Sequence, residues 1–215
     1  MHRSCTDRYG QWVSSRGDKR AELLRKAVDH LAAHGIADLS LAPMAERLGT
    51  SKRMLLYYFG SRDMLIAEAI AASRPDISDL FRDVRDLDGL ERAAWALWDA
   101  ITRGRQRRPI RILFQVLSLA PTQPERYAEL AADTVTAMVE PLVPVYRRLG
   151  FDEHDARARA SLLISGLRGL CLDQIVTGDA ARIETAARVL IQAATAGDGE
   201  LRGSRALGCD QKRPL

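Results

Sequence analysis

The sequence predicts an all-α protein: an N-terminal three-helix domain that contains a helix-turn-helix, followed by a larger C-terminal helical bundle. Three observations carry this. Apolar residues recur at intervals of three and four from about Asp18 to Ala196. No strand-like alternation of useful length appears, and no internal repeat. Gly and Pro punctuate the periodic stretches at Gly35, Gly49, Gly60, Pro75, Pro121 and Gly178, where helices are expected to stop. At 215 residues the chain is long enough to bury a proper core. Four parts are expected: an irregular arm over 1–17, a head over 18–62, a bundle over 63–197, and a disordered tail over 198–215, rich in Gly and charge.

Helix one is expected from about Asp18, a fair N-cap, to Ala33, with Leu24, Val28, Leu31 and Ala32 on one face and Gly35 at its end. The stretch SLAPMAERLGTSKRMLLYYFGSRD, Ser40 to Asp63, then reads as two short helices and the start of another. Ser40 can cap the first, and Pro43 sits in its first turn, where a missing N–H does no harm. Met44, Ala45 and Leu48 form its stripe, and Gly49 follows as a left-handed cap residue. Thr50 and Ser51 can cap the second helix, with Leu55, Leu56 and Phe59 on its buried side. Gly60 stops it, and Ser61 caps a helix from Arg62 to Arg74. Two short helices around a Gly-containing turn form a helix-turn-helix.

Beyond Pro75 a restart is expected at Asp76, then a helix opened by Asp88 and Gly89. Arg103 to Pro109 is a turn with four cations, read as a solvated interhelical loop in preference to a nucleic-acid patch. A very apolar segment follows, Ile110 to Ala120. A longer helix over 125–149 is bent or divided by Pro141 and Pro144. Two closing helices are expected, about 153–177 and 180–196, with Gly178-Asp179 between. Leu162, Leu163, Leu167, Leu170, Cys171 and Ile175 line the first of these, and Ala187, Leu190, Ile191 and Ala194 the second.

The outer face of the second short helix offers Thr50, Ser51, Lys52, Arg53, Tyr57 and Tyr58. Hydroxyls, cations and phenols of this kind donate to phosphate oxygens and base edges in a major groove. Charge agrees. Residues 1–62 hold 11 Lys+Arg against 6 Asp+Glu, whereas the whole chain carries a formal net charge of only +4. The excess positive charge lies in the part with the helix-turn-helix, which suits a polyanion.

The order of residues here resembles the DNA-binding segment of the TetR family of transcriptional regulators. Gly49-Thr50-Ser51-Lys52, Leu55-Leu56-Tyr57-Tyr58-Phe59, Ser61-Arg62-Asp63 and Leu65 carry the resemblance. It extends back through Met44-Ala45 to Ala27-Val28, Leu31-Ala32 and His34-Gly35-Ile36, over roughly residues 18–70. Met54 stands where a small Thr or Ser is usual, Leu56 where Tyr is usual, and Tyr58 where His is usual. These departures bear on base preference, not on membership.

The resemblance implies double-stranded DNA as partner and adds Lys19, Arg20, Ser40 and Arg62 to the candidate contacts. Arg62 stands at a helix N-terminus, against the dipole preference, and in the family the matching cation lies near a phosphate. The resemblance also implies a homodimer through the last two long helices and a ligand cavity in the bundle. Trp95, Trp98, Phe114 and Met138 are candidates for its walls, and Asp99, Gln115, Arg168 and Asp173 for its polar contacts. The effector itself is not identified by the sequence. The function expected is a ligand-responsive repressor released from a palindromic operator. The alternative is a helical protein–protein adaptor that has kept the fold without binding DNA.

Other classes are disfavoured. There is no HExxH, CxxC pair, GxSxG or Gly-rich phosphate loop, so no enzyme activity and no cofactor are expected. His30 and His34 lack carboxylate or Cys partners at ligand spacing, and no metal site is expected. No apolar run of about 18 residues appears, so no membrane span is expected. The first residues lack the apolar core of a signal peptide, and Cys5, Cys171 and Cys209 are an odd, scattered set. Both point to the cytoplasm.

Overall fold

Short polar residues start several of the helices and glycines end several of them. A computed structural model of the chain describes residues 5–36, 39–74, 76–108 and 110–197. Among these there are eleven α-helices and no strand. They are α1 (Cys5–His34), α2 (Leu41–Arg47), α3 (Lys52–Phe59), α4 (Arg62–Ser73), α5 (Ile77–Leu80), α6 (Leu87–Thr102), α7 (Ile110–Leu119), α8 (Pro124–Val139), α9 (Val143–Arg148), α10 (Glu153–Thr177) and α11 (Ala180–Thr195). Single 3₁₀ turns occupy Arg105–Arg107 and Glu140–Leu142.

Most caps follow the local chemistry. Ser51 accepts from the Met54 N–H at 3.2 Å, Ser61 from Met64 at 3.0 Å, and Asp76 from Asp79 at 3.0 Å. Asp152 and Asp179 serve α10 and α11 in the same way. Gly35, Gly49, Gly60 and Gly178 all have positive φ, between 70° and 86°.

Several expectations change. The first helix begins at Cys5, not Asp18, so residues 5–17 are helical and no irregular arm precedes the helix within them. Gly10 and Gly17 lower helix propensity by about 1 kcal/mol each without removing a backbone donor as Pro would. Ser40 holds the N-cap position of α2 but its hydroxyl makes no cap bond. The cap of α6 is Asp86, whose carboxylate accepts from the Gly89 N–H at 2.6 Å. Leu56 is 36 % exposed and not part of the buried side of α3. Pro141 and Pro144 divide the long helix into α8, a 3₁₀ turn and α9. The expected tail, 198–215, lies outside the described residues.

The chain divides into two compact units: residues 1–74 with 103–134, and residues 75–102 with 135–215. In the first, Leu31 and Ile36, Met44, Leu55 and Phe59, and Leu65, Ile66 and Ile70 form one core. Ile112 and Val116 of α7 and Tyr127 of α8 are buried in that same core, so this unit extends past residue 62. In the second, Trp98 of α6, Tyr146 of α9, Leu163 and Leu167 of α10, and Ile183 and Ile191 of α11 are all buried.

Within the second unit α10 packs along α11. A Cβ at Gly166 would lie 2.4 Å from the Leu190 side chain, a distance of approach that only glycine permits there. By length and composition α10 is also long and apolar enough to cross a membrane, contrary to the expectation that no such run exists. The reason is that α10 is apolar on two sides. Leu163, Ile164, Leu167 and Cys171 face the unit's core, while Leu162, Leu172, Ile175 and Val176 are exposed.

Candidate nucleic-acid interface

The turn between α2 and α3 is built from backbone hydrogen bonds. The Gly49 N–H donates to the Glu46 carbonyl at 3.0 Å, and the Thr50 N–H to the Ala45 carbonyl at 2.9 Å. Gly49 carries φ +70°, which lets the chain reverse there without Cβ strain. Ser51 then starts α3. Leu55 and Phe59, four residues apart, anchor α3 in the core and turn its other residues outward.

The outward surface carries Lys52, Arg53, Met54, Leu56 and Tyr57, with Tyr57 53 % exposed. Neither Lys52 nor Arg53 makes an ion pair among the described residues. Both sit in the first turn of α3, which has no acidic residue, so two cations add to the positive end of the helix dipole. That concentration of positive charge is the strongest local invitation to an anion on this face. Thr50 is half-buried and Ser51 is exposed, its hydroxyl engaged as the cap. Tyr58 is half-buried and meets the Tyr57 ring edge-on at 5.2 Å, so it supports Tyr57. Ser40 is exposed at the start of α2.

Three further candidate cations have different surroundings. Lys19 is exposed near the middle of α1 and pairs with Glu22 at 3.0 Å, a contact that water and a competing phosphate both reach. Arg20 is taken up by the fold. It grips both Glu68 oxygens at 2.6 and 2.7 Å, donates to the Tyr58 carbonyl at 3.2 Å, and lies 5.1 Å from the centre of the Phe59 ring. It therefore ties α1 to α3 and α4.

Arg62 is also held internally. It donates to the Ile36 carbonyl at 2.6 Å and the Leu39 carbonyl at 3.0 Å, and it contacts Asp63 at 3.0 Å. Its side chain is only 14 % exposed. Its place at a helix N-terminus is thus explained by the connection between α1 and α2, without a phosphate. Met54 and Leu56 are the residues of this face that sequence reasoning missed. The departure at Met54 was visible, but Leu56 was assigned to the core.

The eight candidates for a ligand cavity do not form one set. Phe114 and Gln115 belong to the first unit, where Gln115 Oε1 accepts from the Ile36 N–H at 2.7 Å. The other six belong to the second. Trp98 and Met138 are buried, and Trp98 Nε1 donates to Glu184 at 3.1 Å. Trp95 is half-buried and Asp99 exposed. Asp173 holds Arg182 through two bonds, at 2.8 and 3.0 Å, and those bonds keep its carboxyl below the usual range. Arg168 is half-buried, donates to Ser165 at 3.2 Å, and has its pKa pushed down by burial. Its Nη1 is buried without a partner, as are Tyr146 Oη and Gln174 Oε1. Burial pushes the Tyr146 phenol well above its ordinary value. Buried polar atoms without partners cost about 1–3 kcal/mol each, and a bound polar molecule can offset that. Tyr146 and Gln174 carried no sequence signal. No group of His, Cys, Asp and Glu that could hold a metal occurs among the described residues.

The model of the family described as bacterial regulatory proteins, tetR family, matches residues 23–69, from the middle of α1 into α4. No curated protein matches the chain. Solved structures do. A TetR-family transcriptional regulator from Agrobacterium tumefaciens aligns over 84% of this chain and 99% of its own, with TM-score 0.65 and 20% identity. A TetR transcriptional regulator from Legionella pneumophila aligns over 80% and 95%, with TM-score 0.64 and 18% identity. NalD from Pseudomonas aeruginosa, the secondary repressor of the MexAB-OprM multidrug efflux pump, aligns over 83% and 95%, with TM-score 0.61 and 19% identity. At these identities the likeness establishes the fold.

Proposed function

The chain is a regulator of the TetR family, whose members are generally DNA-binding repressors of transcription, and from that premise we propose that it binds a near-palindromic operator as a homodimer and leaves it when a small molecule binds. The observation that carries the DNA reading is the outer face of α3. Lys52 and Arg53, without ion pairs among the described residues, stand beside Tyr57 on a short helix anchored by Leu55 and Phe59. In this reading Lys52 and Arg53 hold phosphates, Tyr57 and Thr50 approach base edges, and Lys19 and Ser40 flank the duplex. Arg20, Tyr58 and Arg62 position the helix and do not contact DNA.

Pairing is supported by apolar side chains left exposed on the two closing helices: Leu162, Leu172 and Val176 on α10 and Val189 on α11. A second copy would bury them. Two heads can then enter successive major grooves when their recognition helices stand about 34–36 Å apart. The ligand reading rests on the unpartnered Tyr146, Arg168 and Gln174 atoms of the second unit. A ligand that prefers the dimer with wrongly spaced heads needs only a few kcal/mol of differential affinity to release DNA. The working compartment is the cytoplasm, where such DNA lies.

Fluorescence anisotropy on the DNA upstream of the chain's own gene tests the reading. The expected result is salt-sensitive binding at about 50 mM salt. Lys52→Ala should weaken it by about 1–3 kcal/mol and lower the salt slope by about one. Tyr57→Ala should weaken it by a similar amount and relax base preference. An absence of salt-sensitive binding at low salt would overturn the proposal and favour the adaptor.

A further inference from the structure

We propose that the first unit carries an anion site, apart from the α3 face, that takes a small molecule bearing two or more phosphate groups. The site is a concave surface formed by the end of α1, one side of α2 as far as Arg47, the turn residues Arg107 and Arg108, and α7. It comprises two depressions of about 750 and 550 Å³ that share Ala32, Ala33 and Arg111 as lining residues. Each falls in the size range of small-molecule sites. No residue of α3 lines either one.

Its charge is one-sided. Arg47 and Arg111 line the larger depression, and Arg107, Arg108 and Arg111 the smaller. None of these four guanidinium groups makes an ion pair or a side-chain hydrogen bond among the described residues. The only carboxylate among the lining residues is that of Asp29. Asp38 lies outside the described residues, and counting its charge as well still leaves an excess of cations. Elsewhere Arg20, Arg147, Arg157 and Arg182 each hold a carboxylate. The four arginines here hold none and gather around a single hollow.

Two histidines belong to the same wall. The His30 and His34 rings stack at 4.4 Å, and the His34 Nδ1 lies 3.0 Å from the His30 carbonyl. The His30 imidazole is held below its ordinary pKa, first by burial, then by His34 and Arg47. The contribution of Arg47 to that lowering, smaller than that of burial, places its cation close to this ring. The floor between the cations is apolar, with Ala33, Leu39 and Met44. Forked guanidinium groups over such a floor suit phosphate oxygens, which accept two parallel N–H bonds. A hollow of this volume fits a compact ligand with several anionic oxygens better than the rounded surface of a duplex.

Isothermal titration of the full chain with inorganic pyrophosphate, at low salt, tests this. The expected result is one site per chain, weakened tenfold or more by Arg111→Gln and by Arg47→Gln. Arg107→Gln and Arg108→Gln, at exposed positions in the turn, give the same test should either of the first two fail to fold. No binding by the wild type, or equal binding by folded variants, overturns the proposal. A short duplex without an operator is titrated in parallel. If the substitutions weaken only the duplex, while pyrophosphate is not bound, the hollow is a DNA backbone contact and the proposal fails. Operator binding by the wild type is a separate measurement, so loss of this site leaves the regulator reading standing.

Discussion

Arg62 separates two accounts of the same residue. The family resemblance makes it a phosphate contact, and the fold makes it a brace between the end of α1 and the start of α2. Arg62→Ala removes the donors to the Ile36 and Leu39 carbonyls, at 2.6 and 3.0 Å. Each is a charge-assisted bond, worth about 1.5–3 kcal/mol. Water reaches part of the vacated space, since the side chain is 14 % exposed, which offsets some of the loss. The expected destabilisation is about 2–4 kcal/mol. For a chain of this length that lowers Tm by roughly 5–15 °C. Circular-dichroism melts of wild type, Arg62→Ala and Arg62→Lys provide the measurement. Lysine keeps the charge and loses the fork, so it should fall between the other two. Operator affinity is measured on the same samples well below their melting points. An unchanged Tm with affinity reduced more than tenfold would refute the brace and return Arg62 to the DNA.

Gly35→Ala should cost about 1–2 kcal/mol, because φ is +86° there and the new Cβ would meet Gln115 Oε1 at 2.9 Å; urea denaturation reads it, and an unchanged midpoint counts against that geometry. Val176→Asp and Leu172→Asp, at positions 75 % and 43 % exposed, should convert a dimer to a chain of 23.8 kDa in light scattering while the fold persists. A dimer that survives both removes α10 from the interface. In a chain with Cys5 and Cys209 changed to Ser, the buried Cys171 thiol, pushed up to about 11 by burial, should resist a thiol reagent at pH 8 until the protein unfolds. Labelling as fast as that of a free thiol would contradict its burial.

What the sequence made legible depends on how far a residue's partner lies along the chain. Ser51 bonds three residues ahead, as do Ser61, Asp76 and Asp179, so spacing points to these caps, although it also pointed to Ser40, which makes no cap bond, and passed over Asp86. Arg62 reaches back 26 residues to Ile36, Arg20 reaches 48 to Glu68, and Gln115 meets the Ile36 N–H across 79. No local pattern announces such pairs, and all three were read as contacts for something else. Ile112 and Val116 showed a buried face, but periodicity does not say which core that face enters. The apolar stripe of α10 was legible only as apolar. Its division into Leu163 and Leu167 inward and Leu172 and Val176 outward needed the neighbours.

The misassignment of Leu56 shows where helical spacing leaves two answers open. On an α-helix Phe59 lies about 40° around from Leu55 and about 60° from Leu56, on opposite sides, so spacing alone lets either share its face. Of the two, only Leu55 is buried. The outer face then resolves into two rows at the same spacing: Lys52 with Leu56, and Arg53 with Tyr57. Each row sets a cation in the first turn of α3 and a larger, partly apolar side chain one turn on. A cation at that end suits the backbone phosphates, while a leucine one turn further suits the methyl of a thymine, and a tyrosine an acceptor on a base edge. In the proposed reading, the departure at Leu56 would move base discrimination on one row from hydrogen bonding to methyl contact. Leu56→Tyr would restore a donor there. It should change which operator bases matter without changing the salt slope, because the phosphate-facing cations stay in place. A changed slope with unchanged base preference would mean that α3 lies on the duplex in another orientation.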